Sequence, residues 1–193
     1  MGGFAARDLK PLIGAEVRIA ADALIRGIYA ADLHALLVQR GVLVFRDLNI
    51  TRDQQRAITA HFGPIRADDD GDELQKVTID PRVSAEYAAY FANTLFWHMD
   101  GYHDQTVPCF GGSFRPIRLA PSGGETEFLN TYAAYEGLDE RDKALIDGLH
   151  VFHTAATSGL AGNPDASDEQ LANWRRRLPA RQPLVWQDRK SVV

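Results

Sequence analysis

The stretch Thr94-Leu95-Phe96-Trp97-His98-Met99-Asp100-Gly101 opens the part of the chain whose reading decides the fold. Thr94 to His98 is expected to be a short strand, and from Asn93 onward the pattern stays β-rich. Further strands are expected at Val107 to Phe114, Ile117 to Leu119 and Glu125 to Leu129. The last follows the turn composition Pro121-Ser122-Gly123-Gly124. In a strand, residues two apart point to the same face, so His98 and Asp100 present an imidazole and a carboxylate side by side. These are two of the three ligands of the facial triad that holds non-haem Fe(II) and leaves positions open for oxygen chemistry. Alone, a His-x-Asp pair is also a common feature of surface strands. Thr126, at the start of a returning strand, offers a hydroxyl that can donate to a carboxylate, although a β-branched residue suits a strand in any case.

Upstream, Leu12 to Ile19 reads as extended. Ala30 to Gln39 carries Leu33, Leu36 and Leu37 at helical spacing, Gly41 stops that helix, and Val42-Leu43-Val44-Phe45 reads as a buried strand. Thr51 and Gln54 form a capping box before Ala57, Ile58 and Phe62, and Gly63-Pro64 ends the helix. Ala67 to Glu73 is an acidic, solvated loop that lacks the ligand spacing of a calcium loop. Leu74 to Ile79 reads as a strand ending at Asp80-Pro81.

Downstream, helices are expected at Thr131 to Glu136 and Asp139 to Asp147, and a strand at Leu149 to His153. Thr154 to Ala166, rich in small residues, reads as a loop. A second capping box, Ser167 with Gln170, precedes a helix carrying Leu171 and Trp174. Pro183 to Trp186 and Lys190 to Val193 read as the arms of a hairpin.

Charge and length restrict the partners. The 193 residues carry 21 Lys and Arg against 26 Asp and Glu, a net charge of −5. Without a basic stripe, such a chain is a poor binder of phosphate backbones, so no nucleic-acid partner is expected. Arg175 to Arg177 fall at a helix end, where cations complement the dipole. No apolar stretch is long enough to span a bilayer, so no membrane partner is expected. Met1 to Lys10 lacks the pattern of a signal peptide, and a lone Cys109 fits a reducing cytosol. The expectation is one cytoplasmic domain over residues 1–193.

Several segments in order resemble the taurine dioxygenase (TauD/TfdA-like) family of Fe(II)/2-oxoglutarate-dependent dioxygenases. They are Ile13-Gly14-Ala15-Glu16-Val17, Gly41 to Asp47, Phe62-Gly63-Pro64, Trp97 to Gly101, Gly123 to Phe128, Tyr132 to Leu138 and Arg189-Lys190-Ser191. The resemblance implies a mainly β fold, a double-stranded β-helix or jelly roll with flanking helices, incomplete at the C-terminus. It implies Fe(II) held by His98 and Asp100, and 2-oxoglutarate as co-substrate with Thr126 at its distal carboxylate. Thr94 would line the substrate pocket, and Tyr102 lies beside the ligand segment. The implied reaction oxidises a C–H bond of a small organic substrate with O2, releasing succinate and CO2. Homo-oligomerisation is left open.

The family's third ligand, a distal His, and a following Arg that pairs with 2-oxoglutarate lie downstream of the Arg-Lys-Ser segment and have no counterpart in this sequence. Low activity of the chain alone is therefore expected. His150 and His153 are alternative ligands, but His153 aligns with a family position that is not one; His103 lies close to Asp100, and His34 and His61 read as surface or packing residues. Taurine is not the expected substrate, since Pro64-Ile65-Arg66-Ala67-Asp68-Asp69 lacks the His that the taurine enzyme uses there. Two other readings stay open: a non-catalytic dioxygenase-like module or fragment completed by another chain, and a zinc-type hydrolase using His98, Asp100 and His150 or His153.

Overall fold

A computed structural model of the chain describes residues 3–67, 71, 74, 76–83, 97–100 and 109–186. Contacts divide it into two units, Met1–Leu74 with Gly112–Leu138, and Gln75–Gly111 with Asp139–Val193. Each is built around its own short sheet.

In the first unit, β1 (Ala5–Asp8), β2 (Ala15–Arg18) and β3 (Leu43–Phe45) form a three-stranded sheet with β2 in the middle. β1 runs antiparallel to β2, with Ala5 opposite Arg18 and Asp8 opposite Ala15. β3 runs parallel to β2, with Ala15 opposite Leu43 and Val17 opposite Phe45. A parallel neighbour needs a long crossover, supplied by α1 (Ala21–Ile25) and α2 (Ala30–Arg40). α3 (Arg52–Ala60) starts at the expected capping box: Thr51 Oγ1 accepts from Gln54 N at 3.2 Å, and Thr51 N donates to Gln54 Oε1 at 2.8 Å. Gly41 ends α2 at φ 69°, as its sequence position predicts.

The core gathers Val17, Leu24, Leu33 and Ile58, with Leu36, Leu43, Phe45 and Phe62 packed around them. Phe4 meets Tyr29 edge-on, ring centroids 5.6 Å apart. On β2, Glu16 is also buried. Arg7 lies 3.2 Å, Arg46 3.4 Å and Arg18 3.5 Å from its carboxylate. Desolvation pushes its pKa up, but hydrogen bonds from Arg7 and Arg46 and the charge of Arg7 prevail and hold it below the ordinary glutamate range. The β1–β2 loop is gripped by Arg40, whose Nη2 donates to Lys10 O at 2.6 Å and Gly14 O at 3.2 Å, while Nη1 donates to Pro11 O at 3.3 Å. α4 (Thr131–Glu136) closes this unit.

In the second unit, α5 (Glu140–Ile146) starts at Asp139, whose side chain accepts from Asp142 N at 2.8 Å. β4 (His150–His153) pairs antiparallel with β5 (Ala180–Pro183), His150 opposite Pro183 and His153 opposite Ala180. Between them lie α6 (Ala155–Gly162) and α7 (Asp168–Arg175), the latter at the expected Ser167–Gln170 capping box.

Several expectations are corrected. The loop expected at Thr154 to Ala166 is largely helix: Thr154 caps α6 through Thr157 N at 3.0 Å, and Gly159 lets α6 approach Trp174. Strand β5 begins three residues before the expected Pro183 arm and pairs with β4; Lys190 to Val193 lie outside the described residues. Residues 109–130 form neither helix nor strand, so the strands expected at Ile117 to Leu119 and Glu125 to Leu129, and the described part of Val107 to Phe114, are not formed. The described residues are thus richer in helix than a mainly β fold. Strand propensity expresses a fit to neighbouring strands, and those segments have none paired to them here.

Candidate metal centre

Trp97-His98-Met99 adopt no regular structure and Asp100 sits in a turn, so the expected strand geometry does not extend to the described part of this motif. The two side chains nevertheless converge, with His98 Nε2 3.5 Å from Asp100 Oδ1. Both are accessible, His98 at 50% and Asp100 at 64% of the side chain. The separation exceeds the usual N–H···O range of about 2.7–3.2 Å. Two donors bound side by side to one ion, at bonds of about 2.0–2.2 Å, lie about 3–3.5 Å apart. One imidazole nitrogen and one carboxylate oxygen at this spacing therefore suit a divalent first-row metal, and they suit non-haem Fe(II) by donor type. Among the described residues no group of three or more His, Cys, Asp and Glu could hold a metal, so the donor set there stops at two.

His150 and His153 both lie on β4, but three residues apart on a strand they point to opposite faces. His150 Nδ1 lies 3.0 Å from Gly148 O. His61 is a packing residue at the end of α3, its Nε2 donating to Ile25 O at 2.8 Å and its ring lying against Gly27. Thr126 is exposed within the first unit, between the positive-φ Gly124 and α4. Thr94, Tyr102, His103 and the acidic residues Asp68–Asp70, Asp72 and Glu73 lie outside the described residues.

Sequence reading missed two polar residues of the first unit. Gln55 on α3 donates Nε2 to Ser113 O and Oγ, both at 3.1 Å, and accepts from Arg115 Nε at 3.1 Å. Asn130 donates Nδ2 to Leu12 O at 2.7 Å and accepts from Ala133 N at 3.1 Å. Only the Asn130 cap, three residues from its partner, had a local signal.

Among the described residues no helix is long and apolar enough to cross a membrane. Comparison with known proteins gives the chain's relatives. The alpha-ketoglutarate-dependent 2,4-dichlorophenoxyacetate dioxygenase of Cupriavidus pinatubonensis is 29% identical over 173 residues, covering 80% of this chain and 57% of that protein. The (S)-phenoxypropionate/alpha-ketoglutarate-dioxygenase of Sphingobium herbicidovorans is 27% identical, covering 74% of this chain and 51% of that protein. The chain thus spans about half the length of the curated relatives it matches. The crystal structure of AAD-2 with Mn(II) and N-oxalylglycine superimposes with a TM-score of 0.67 at 26% identity, covering 98% of this chain and 66% of that one. The model of the family described as "Taurine catabolism dioxygenase TauD, TfdA family" matches residues 5–193, and the chain belongs to that family.

Proposed function

We propose that the chain carries the metal- and co-substrate-binding part of an Fe(II)/2-oxoglutarate-dependent dioxygenase that oxidises a C–H bond of a small organic molecule with O2, releasing succinate and CO2. The observation that carries this reading is the 3.5 Å approach of His98 Nε2 to Asp100 Oδ1 in a chain matched by the family over residues 5–193. His98 and Asp100 would hold Fe(II), which when bound supplies O2 activation coupled to decarboxylation of the co-substrate. The Asp100 carboxylate offsets part of the ion's charge. In this reading the Thr126 hydroxyl would donate to the distal carboxylate of 2-oxoglutarate, and Thr94, outside the described residues, would line the substrate pocket. The finer architecture we assign is a single jelly-roll domain over residues 1–193, a reading supported by the TM-score of 0.67.

The described residues supply two donors, and two grip a metal less firmly than three. We therefore expect weak Fe(II) binding and slow turnover from this chain alone. The test follows succinate and CO2 from the purified chain with Fe(II) and 2-oxoglutarate. Slow, Fe(II)-dependent release that disappears in Asp100→Ala supports the reading, and robust turnover contradicts the two-donor site.

A second reading, a non-catalytic module or a fragment completed by another chain, draws on the exposure of Phe114 (68%) and Phe152 (64%). Size-exclusion chromatography decides it: a stable oligomer or complex supports it, and a well-folded monomer contradicts it.

A further inference from the structure

Residues 111–130 carry Thr126 through a stretch without helix or strand. Such a stretch has many backbone conformations, and placing one side chain within it carries an entropic cost. Two side-chain amides fasten it near its ends. Near the start, Gln55 on α3 donates to Ser113 O and Oγ and accepts from Arg115 Nε, each at 3.1 Å. At the other end, Asn130 donates to Leu12 O at 2.7 Å while its Oδ1 caps α4.

The residue types fit this double duty. Ser or Asp would cap α4 as well as Asn, but neither offers the N–H2 that reaches Leu12 O. Gln55 likewise must donate with one end of its amide and accept with the other, which a carboxylate or an ammonium cannot do. Tying the segment at both ends shortens the free span around Thr126 and so lowers the entropy lost when its hydroxyl is placed.

We infer that Gln55 and Asn130 are positioning residues for Thr126: two amide ties that pre-place its hydroxyl for the distal carboxylate of a 2-oxoglutarate-like dicarboxylate. The inference rests on the role proposed for Thr126 above.

The test compares the 193-residue chain with Gln55→Ala, Gln55→Glu, Asn130→Asp and Thr126→Ala. Gln55→Glu keeps the acceptor for Arg115 and loses the donor to Ser113; Asn130→Asp keeps the cap and loses the donor to Leu12. One readout is tryptic cleavage at Arg118–Leu119, inside the tied span, against Arg177–Leu178 in the other unit as control. A protease must draw an extended run of chain into its cleft, so freeing one end speeds cleavage. The other readout is affinity for N-oxalylglycine in the presence of Mn(II).

Asn130→Asp should speed Arg118–Leu119 cleavage about five- to tenfold, the effect of one lost hydrogen bond, and Gln55→Ala, which loses its bonds to both Ser113 and Arg115, at least as much, with the control bond unchanged. Each should weaken N-oxalylglycine several-fold, with Gln55→Glu between wild type and Gln55→Ala. Unchanged cleavage overturns the ties. Faster cleavage with wild-type affinity makes them structural only and overturns the positioning role. If the wild-type chain binds N-oxalylglycine no better than Thr126→Ala does, the role of Thr126 fails instead, while cleavage still decides the ties.

Discussion

Gly159 on α6 lies so close to the indole of Trp174 on α7 that a Cβ at position 159 would fall 2.5 Å from Cε3 and 2.6 Å from Cδ2. The two helices meet through this missing side chain. Gly→Ala inside a helix ordinarily stabilises by about 1 kcal/mol. Here the overlap falls on a rigid ring, and overpacking of this kind costs about 1–3 kcal/mol. The net prediction for Gly159→Ala is destabilisation by up to about 2 kcal/mol in denaturant unfolding followed by Trp fluorescence, the opposite sign to its helix propensity. A gain in stability would show that the helices separate without cost.

Arg40 draws the β1–β2 loop onto the end of α2 through the carbonyls of Lys10, Pro11 and Gly14 and an ion pair with Asp8 at 3.3 Å. Its side chain is only 11% exposed. Arg40→Ala removes several charge-assisted bonds at once and should lower stability by about 2–4 kcal/mol. Arg40→Lys should recover only part of that, because a single ammonium cannot span the same carbonyls as a guanidinium. Full recovery by lysine would mean that charge alone matters there.

Glu16 makes an acid-side prediction. Its pKa is lowered in the fold, so its contribution is complete above the unfolded glutamate value and disappears as pH falls through the folded one. The wild type should therefore exceed Glu16→Gln in Tm at neutral pH, and the gap should close as pH drops through and below the glutamate range. A gap independent of pH would show that the ionised form of Glu16 gains nothing from Arg7, Arg18 and Arg46.

Local signals in the sequence were readable because they act within a few residues. The capping boxes at Thr51–Gln54 and Ser167–Gln170, the stop at Gly41 and a strand ending at His153 all stand where the sequence puts them. α6 was not readable: Ala155-Ala156-Thr157-Ser158-Gly159-Leu160-Ala161-Gly162 has no apolar period, and its packing partner Trp174 is remote in sequence. β1 is exposed along its whole length and exists through backbone pairing with β2. At the candidate site, the spacing of His98 and Asp100 anticipated their approach, although a turn rather than a strand brings it about. Gln55 and Asn130 reach partners 58 and 118 residues away, a distance no local pattern encodes.

The central claim is that His98 and Asp100 grip one ion. Anaerobic Fe(II) titration of the chain beside His98→Ala, Asp100→Ala and His150→Ala tests it most directly. One Fe(II) per chain is predicted, with affinity at least about tenfold lower in each of the first two variants, since loss of even an outer partner of a metal ligand costs that much, and unchanged in the third. Fe(II) binding that survives both His98→Ala and Asp100→Ala at wild-type strength would contradict it.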